Sequence, residues 1–412
     1  MYQTTYLPNT RLHVADALRG IAIIGIILLH NVEHMNFYLF PESTNALIIW
    51  FNKITWNGLF FALGGKMYSI FALMFGLSFF IQNDNQAQQG KDFTLRFIWR
   101  MFLLLLFGLV NTFFFNGDIL FSYAMFGLLL PIFARLNTKT AAVLCCFLLL
   151  QPVEIYQIIA ALLNPDYQLI NANSGKYFQL MIASQENGNI WQCGWDSLKY
   201  GQLGSFTWNI ENGRTTQLPG LFLLGMLLGR LRLFYNEKNN LKIWLGILAI
   251  SILLFFPTIG LYNILPEDIE RKEILVPVRL LFKSWSSLAQ TFIYVSLFIL
   301  LFYSSKAVNR FMMKLTAFGR ASMTNYFLQS VIGALLYYGW GFALCRYCGP
   351  AFSFLIGIGM VMLQYCFCKY WFKTHSHGPF EGLWKKLTWI SPAHRYDATG
   401  LLSFALIMMV VL

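Results

Sequence analysis

Apolar runs of about 20 residues, the length a helix needs to cross the hydrocarbon core of a bilayer, recur along the whole chain. In lipid the backbone N–H and C=O groups of such a run must be satisfied within the segment, so the runs have to be helices. Ten can be drawn, at residues 18–40, 58–81, 96–115, 118–135, 140–163, 217–234, 241–262, 279–303, 315–340 and 350–372. Composition agrees: of 412 residues 57% are hydrophobic and only 12% charged, against about 25% charged in soluble proteins. Residues 1–390 therefore read as one all-α polytopic membrane domain, a helical bundle of about ten transmembrane helices. Residues 398–412 form a short apolar C-terminal segment of 15 residues. As a helix it covers only about 22 Å, so it reads as an eleventh, thinly spanning helix or an interfacial one.

The net charge of +12 raises nucleic acid as a partner, but the distribution of charge argues for a topology signal instead. With the N-terminus inside, 20 of the 30 Lys and Arg fall on inner segments and eight on outer ones. That is the positive-inside pattern, and it predicts a cytoplasmic N-terminus. No cleavage site follows the first apolar run, which reads as a retained helix. Residues 164–216, rich in Asn, Gln and Gly with Trp191, Trp195 and Trp208, read as an outer cap loop with at most one or two amphipathic helices. Residues 374–397 read as a basic, amphipathic inner tail lying on the membrane surface; it carries His375, His377 and His394. Cys345 and Cys348 have CxxC spacing, but no second pair completes a metal site, so no metal is expected. Cys193 stands alone in the outer loop, where a bond to Cys345 or Cys348 is open to it.

Within this apolar chain the informative residues are the ionisable ones placed inside spans. Arg19 and His30 are 11 residues apart, so on a helix they share one face with about 16 Å between them. Glu33 and His34 lie within one further turn of His30. Lys66 falls about two turns into the second span, where it either snorkels outward or joins a site. Asp118 opens the fourth helix and suits an N-cap as well as a site, and Asn111 faces the same side of the preceding helix. On the ninth helix Ser322, Asn325, Tyr326 and Gln329 form a polar stripe. Interhelical hydrogen bonds worth about 0.6 kcal/mol each would account for it without chemistry.

Four motifs carry a family resemblance: Asp16-Ala17-Leu18-Arg19-Gly20, Asn116-Gly117-Asp118-Ile119-Leu120, Phe318-Gly319-Arg320 with Thr324-Asn325-Tyr326 and Gln329-Ser330, and Gly378-Pro379-Phe380-Glu381 with Leu383-Trp384. Together they resemble the YeiB-like family of bacterial inner-membrane proteins, and the matches run in order from residue 16 to about residue 389. The resemblance implies a fold similar to transmembrane acyltransferases, among them heparan-α-glucosaminide N-acetyltransferase and the bacterial membrane O-acetyltransferases. Arg19 and His30 match the Arg-x10-His pattern of the latter. Thr55-Trp56-Asn57-Gly58 resembles the loop after the glucosaminide enzyme's active-site His, with Lys53 near that residue's place. Family members often carry Asn at position 30 and His at position 111. The exchange seen here implies that the two positions face one another in one polar pocket.

Three readings follow. The first is an acyltransferase that moves an acyl group from cytoplasmic acyl-CoA to an outer-face glycan, lipid or other small-molecule acceptor. It binds no cofactor, and acyl-CoA is its co-substrate. His30 acts as general base or acyl carrier, Asp118 or Glu33 orients it, and Asn111, Asn325 or Gln329 steadies the oxyanion. Arg19, His34, Lys66 and Arg320 complete the substrate-binding set, with Arg96, Arg100, Arg230, Arg232 and Arg310 as further contacts for the nucleotide. The second is a transporter or lipid translocator, which the same intramembrane charges would serve. The third, a scaffold without chemistry, leaves the cluster at the end of the first helix unexplained. Membrane lipids are partners on every reading.

Overall fold

The computed structural model describes residues 11–169, 173–266 and 271–390; His394 and the segment 398–412 lie outside them, as does the end of the tail. Among the described residues all regular structure is helical. In chain order the helices are α1 (His13–Val32), α2 (Ala46–Leu63), α3 (Lys66–Ala87), α4 (Thr94–Thr112), α5 (Leu120–Gly127), α6 (Leu130–Arg135), α7 (Thr138–Leu149), α8 (Pro152–Leu163), α9 (Ser174–Asn187) and α10 (Ile190–Asp196). They continue as α11 (Gln202–Glu211), α12 (Arg214–Arg230), α13 (Lys238–Ile264), α14 (Lys272–Ser304), α15 (Lys306–Met312), α16 (Thr316–Arg320), α17 (Ser322–Tyr337), α18 (Pro350–Trp371) and α19 (Pro379–Thr388). Six stretches among the described residues are long and apolar enough to cross a membrane, or seven if the bent pair α7–α8 is one span. This is a helical membrane protein.

The apolar runs predict where helices lie better than where they stop. The first span was expected over 18–40, but α1 ends at Val32 in a left-handed turn. Residues 46–57, expected as loop, are helical and continue the second span outward; the break falls at Gly64–Gly65, where Gly65 takes φ +75°. A side chain is disfavoured in that backbone conformation, so glycine sets the joint. The fifth span is bent by 52° between α7 and α8, where Gln151 is left-handed and Pro152 opens the second helix. Before α12 starts at Arg214, residues 164–216 hold two continuous helical stretches, α9 and the run 190–211, in which a π turn at Ser197–Gly201 joins α10 to α11. All seven cysteines are free; Cys193 donates to the carbonyl of Ser184 at 2.7 Å and bonds to neither Cys345 nor Cys348.

At the centre is α1, in contact with α3, α16, α17 and α18. Two crossings are backbone against backbone. A Cβ on Gly319 would fall on the carbonyl oxygen of Asp16, and one on Gly20 would fall on that of Leu315. Gly76 of α3 and Gly225 of α12 make the same arrangement, each against a carbonyl of the other helix. Small residues permit such approach, and in lipid, where no hydrophobic force joins helices, close packing is what holds them.

The described part of the tail packs one face of α19 against the bundle and leaves Lys385 and Lys386 exposed on the other. Glu381 of α19 caps the start of α17: Oε1 accepts from the backbone N–H of Met323 (2.7 Å) and of Thr324 (3.0 Å), and Oε2 accepts from Thr324 Oγ1 (2.6 Å). Phe380 stacks on Phe327 at 4.4 Å between ring centroids. Trp384 Nε1 donates to the carbonyl of Arg100, whose guanidinium lies 3.7 Å from the indole centroid. A carboxylate at a helix N-terminus meets orphan N–H donors and the positive end of the dipole. Burial nonetheless holds the Glu381 carboxyl above its ordinary pKa, against the pull of Thr324 and the backbone donors.

Two outcomes are expected. Gly319→Ala destabilises the fold by about 1–3 kcal/mol through overpacking, whereas Gly359→Ala, with open space around it, is neutral or gains up to ~1 kcal/mol from helix propensity; thermal midpoints in detergent compare the two. Because the folded chain holds the Glu381 proton longer than the unfolded one, its contribution is full below the ordinary carboxylate pKa and is lost as pH rises through the raised value. In Glu381→Gln that slope of stability against pH disappears.

Candidate functional site

The end of α1 is built from an unfavourable backbone. His34, Met35 and Asn36 take φ of 52°, 58° and 63°, and Tyr38 takes 56°. Left-handed residues other than glycine cost about 1–2 kcal/mol each, so the turn must be held from outside. Met35 N–H donates to the carbonyl of His30 (2.7 Å) and Phe37 N–H to that of Glu33 (3.2 Å). His34 fastens it to α18: Nδ1 is 2.7 Å from the Leu39 carbonyl and Nε2 is 2.7 Å from Ser353 Oγ, with the ring stacked on Tyr337 at 4.5 Å. A carbonyl can only accept, so Nδ1 carries the proton and Ser353 donates to Nε2.

The turn brings Asn36 and Tyr38 to the wall of a cavity of about 580 Å³, within the range of small-molecule sites. His30 and Glu33 line it from α1, Lys66 from the first residue of α3, Asp118 from the turn before α5, and Tyr326 from α17. Tyr38, Phe61 and Trp208 also line it and are 48%, 55% and 41% exposed, so it opens at the surface. Residues Ser205, Trp208, Asn209 and Asn212 enter from the 164–216 segment.

His30 lies 4.6 Å from the ring of Phe115 and 6.4 Å from that of Tyr326, measured between centroids. Its Nδ1 is enclosed without a hydrogen-bond partner. Gln329 of α17 lies within reach of the imidazole, and both polar atoms of its amide are likewise buried and unmatched. Buried polar atoms without partners cost about 1–3 kcal/mol each and ask for an explanation.

The other expected residues separate from this group. Asn111 does not face His30 across the cavity: its Nδ2 donates to Asp118 Oδ1 at 2.8 Å, behind the lining. Asp118 Oδ2 accepts from Phe121 N–H at 3.0 Å, so the carboxylate caps α5 while also facing the cavity. Arg19 is tied to Asp16 (3.0 Å) and to Ser78, and Asp16 holds Arg11 as well (2.5 Å). His34 is spent on the turn. Asn325 donates to Phe318 O and Cys368 Sγ, both at 3.4 Å. Arg320 donates to Ser376 O at 2.9 Å and covers the ring of Phe372. These five do not line the cavity, because each is held by a partner elsewhere in the bundle. Of the arginines expected at a nucleotide, Arg96 stacks on Trp389, Arg100 on Trp384, and Arg230 donates to the last carbonyls of α6.

Two cations were missed by the sequence reading. Arg214, the first residue of α12, lies with its guanidinium 4.4 Å from the ring centroid of Tyr68 and donates to Gln217 Oε1 at 2.5 Å. Lys283 of α14 lines the same wall. A signal was available for both. Lys283 is a charge inside an apolar span, as Lys66 is. Gly213-Arg214 repeats Gly65-Lys66, a left-handed glycine followed by a cation at the first position of a helix. No group of His, Cys, Asp and Glu among the described residues is arranged to hold a metal ion.

Residues 228–391 match a family described as protein of unknown function (DUF418). The chain is similar to uncharacterized protein YxaH of Bacillus subtilis, at 26% identity over 93% of this chain and 96% of the relative. It is similar to uncharacterized protein YeiB of Escherichia coli, at 25% over 90% and 95% respectively. A 39.9 kDa protein encoded beside an amylase of Bacillus acidopullulyticus matches at 23% over 92% and 94%. No solved structure matches.

The two histidines of α1 and its turn should separate on mutation. His34→Ala removes two hydrogen bonds and a stacking contact and lowers stability by about 2–4 kcal/mol. His30→Ala removes no protein hydrogen bond and shifts stability by about 1 kcal/mol or less. Thermal melts of the two variants side by side check this.

Proposed function

Because the chain belongs to the YeiB-like family, whose relatives carry no reaction in their names, we propose its activity from the site itself: acyl transfer to an acceptor held in the cavity, with His30 as general base. The observation that carries this reading is the His30 imidazole, its Nδ1 enclosed without a partner, lining an open, substrate-sized space inside a membrane bundle. An ionisable side chain in that position is a functional candidate by default. A rotation that pairs Nδ1–H with Gln329 Oε1 fixes the tautomer and leaves Nε2 as the base. Nε2 takes the proton of an acceptor hydroxyl or amine as the oxygen or nitrogen attacks the thioester carbonyl of acyl-CoA. The tetrahedral intermediate collapses, the C–S bond breaks, and the thiolate of CoA leaves with the proton from the imidazolium. Gln329 is thus a positioning residue, and Glu33 and Asp118 are carboxylates at the same wall that favour the imidazolium as it forms.

The architecture we propose with this activity counts each broken pair as one crossing. Then α1, α2–α3, α4, α5–α6, α7–α8, α12, α13, α14, α16–α17 and α18 make ten. The positive-inside bias sets the N-terminus in the cytoplasm of a bacterial plasma membrane and the cavity mouth on the outer side. A transporter is the second reading, favoured by the 52° break in α7–α8, since interrupted helices mark substrate sites in transporters.

Purified protein in lipid nanodiscs, incubated with radiolabelled acetyl-CoA and mixed envelope acceptors, tests the choice. Acyl transfer predicts labelled product and CoA release that fall about 10²–10⁴-fold in His30→Ala. Flux of an intact solute into liposomes without CoA release would replace this reading with transport.

A further inference from the structure

Three cations without a counterion line the cavity, Lys66, Arg214 and Lys283. The Arg214 guanidinium reaches the residue before Lys66, where a Cβ on Gly65 would lie 3.4 Å from Nη2. Among the described residues the only ion pairs within 4.0 Å are those of Asp16 with Arg11 and Arg19, so none of the three has a carboxylate beside it. Lys66 is 8% exposed and its Nζ donates to the Phe61 carbonyl at 2.8 Å. Lys66 is buried, Arg214 half-buried and Lys283 exposed at the rim, and a buried cation among like charges is costly unless an anion answers it.

The backbone points the same way. Lys66 and Arg214 each begin a helix, α3 and α12, whose preceding glycine is left-handed and whose N-terminus has no side-chain cap. Glu154 and Gln151 crowd Gly213 at the start of α12, whereas Gly65 and Lys66 at the start of α3 line the cavity, so the end whose dipole favours an anion there is that of α3. Ser284, 7% exposed, lines the cavity with them, and Tyr68, whose ring lies under the Arg214 guanidinium, has its hydroxyl enclosed without a partner. The carboxylates of Glu33 and Asp118 line the same cavity without pairing with these cations, which leaves room for a ligand between.

We propose that Lys66, Arg214 and Lys283 form a phosphate-binding site for an amphiphile whose chain lies along the aromatic and apolar wall of Trp56, Phe60 and Phe61. Arginine supplies a planar fork and the two lysines supply point charges, a set suited to a multiply charged phosphoryl group more than to a single carboxylate. The exposed apolar surface of α2, which buries no residue, borders that wall and gives the chain a path from the lipid. That the phosphate anchors the acceptor of the transfer reaction rests on the reading above; that it binds does not.

Binding of radiolabelled dodecyl phosphate to the full chain in phosphatidylcholine nanodiscs tests the site, with dodecanol and inorganic phosphate as competitors. The expected result is saturable binding, weakened at least tenfold in Arg214→Gln and in Lys66→Gln, and restored within about threefold in Arg214→Lys. Lys283→Gln, a change at an exposed side chain, is expected to weaken binding at least threefold without altering the melt. Inorganic phosphate competing only at a hundredfold excess assigns the site to a lipid headgroup; equal competition assigns it to free phosphate. Dodecanol competing as well as dodecyl phosphate, or undiminished binding in Lys283→Gln and Arg214→Gln, overturns the proposal. Binding that follows the cations in a protein with no acyl transfer leaves the site standing and removes only its role as acceptor anchor.

Discussion

Contact between the backbones of α1 and α16 at Gly20 and Gly319 is the constraint on which the arrangement depends. With no side chain between them the two helices sit closer than any other residue would allow, and α1 is the most enclosed of the six long apolar stretches among the described residues. That depth is what places His30 in the interior and not on a lipid-facing surface. The second glycine crossing, Gly76 with Gly225, clasps α3 to α12 in the same way. It thereby fixes the helices that begin with Lys66 and Arg214. Packing and site are consequently one problem: the close crossings that hold the bundle together also register the cavity walls.

The helical membrane class was legible because hydropathy acts over whole segments, and about 20 apolar residues leave few alternatives. Ends were less legible. The stop at Val32 depends on a left-handed turn whose support comes from Ser353 and Tyr337, more than 300 residues away in the chain. Nothing in residues 33–38 announces those partners. Similarly, Arg19, Arg320 and Asn325 look functional when a lone charge or amide in an apolar run is all that can be seen. Their partners Ser78, Ser376 and Cys368 are supplied by the fold.

The candidate site was half legible. His30, Glu33, Lys66 and Asp118 do meet at one cavity, since an ionisable group in a span has few bland uses. Asn111 was expected to face His30 and instead bonds Asp118, a pairing that seven residues of separation and a tight intervening turn allow but do not dictate. Arg214 falls just before the span drawn from residue 217, and Lys283 is one charge within a span with no neighbour in the sequence to pair it with. Only the fold brings α12 and α14 to the same wall.

The clamp between Glu381 and the start of α17 bears on how such a chain is made. Gln329 and Tyr326, which flank the imidazole, ride on a helix whose first turn stays uncapped until residue 381 has left the ribosome and returned to it. Synthesis runs from the opposite end, so α1 is threaded into lipid hundreds of residues before its neighbours on α17 can be locked. Until that carboxylate arrives, the Met323 and Thr324 N–H groups at the start of α17 lack the acceptor that the finished fold gives them.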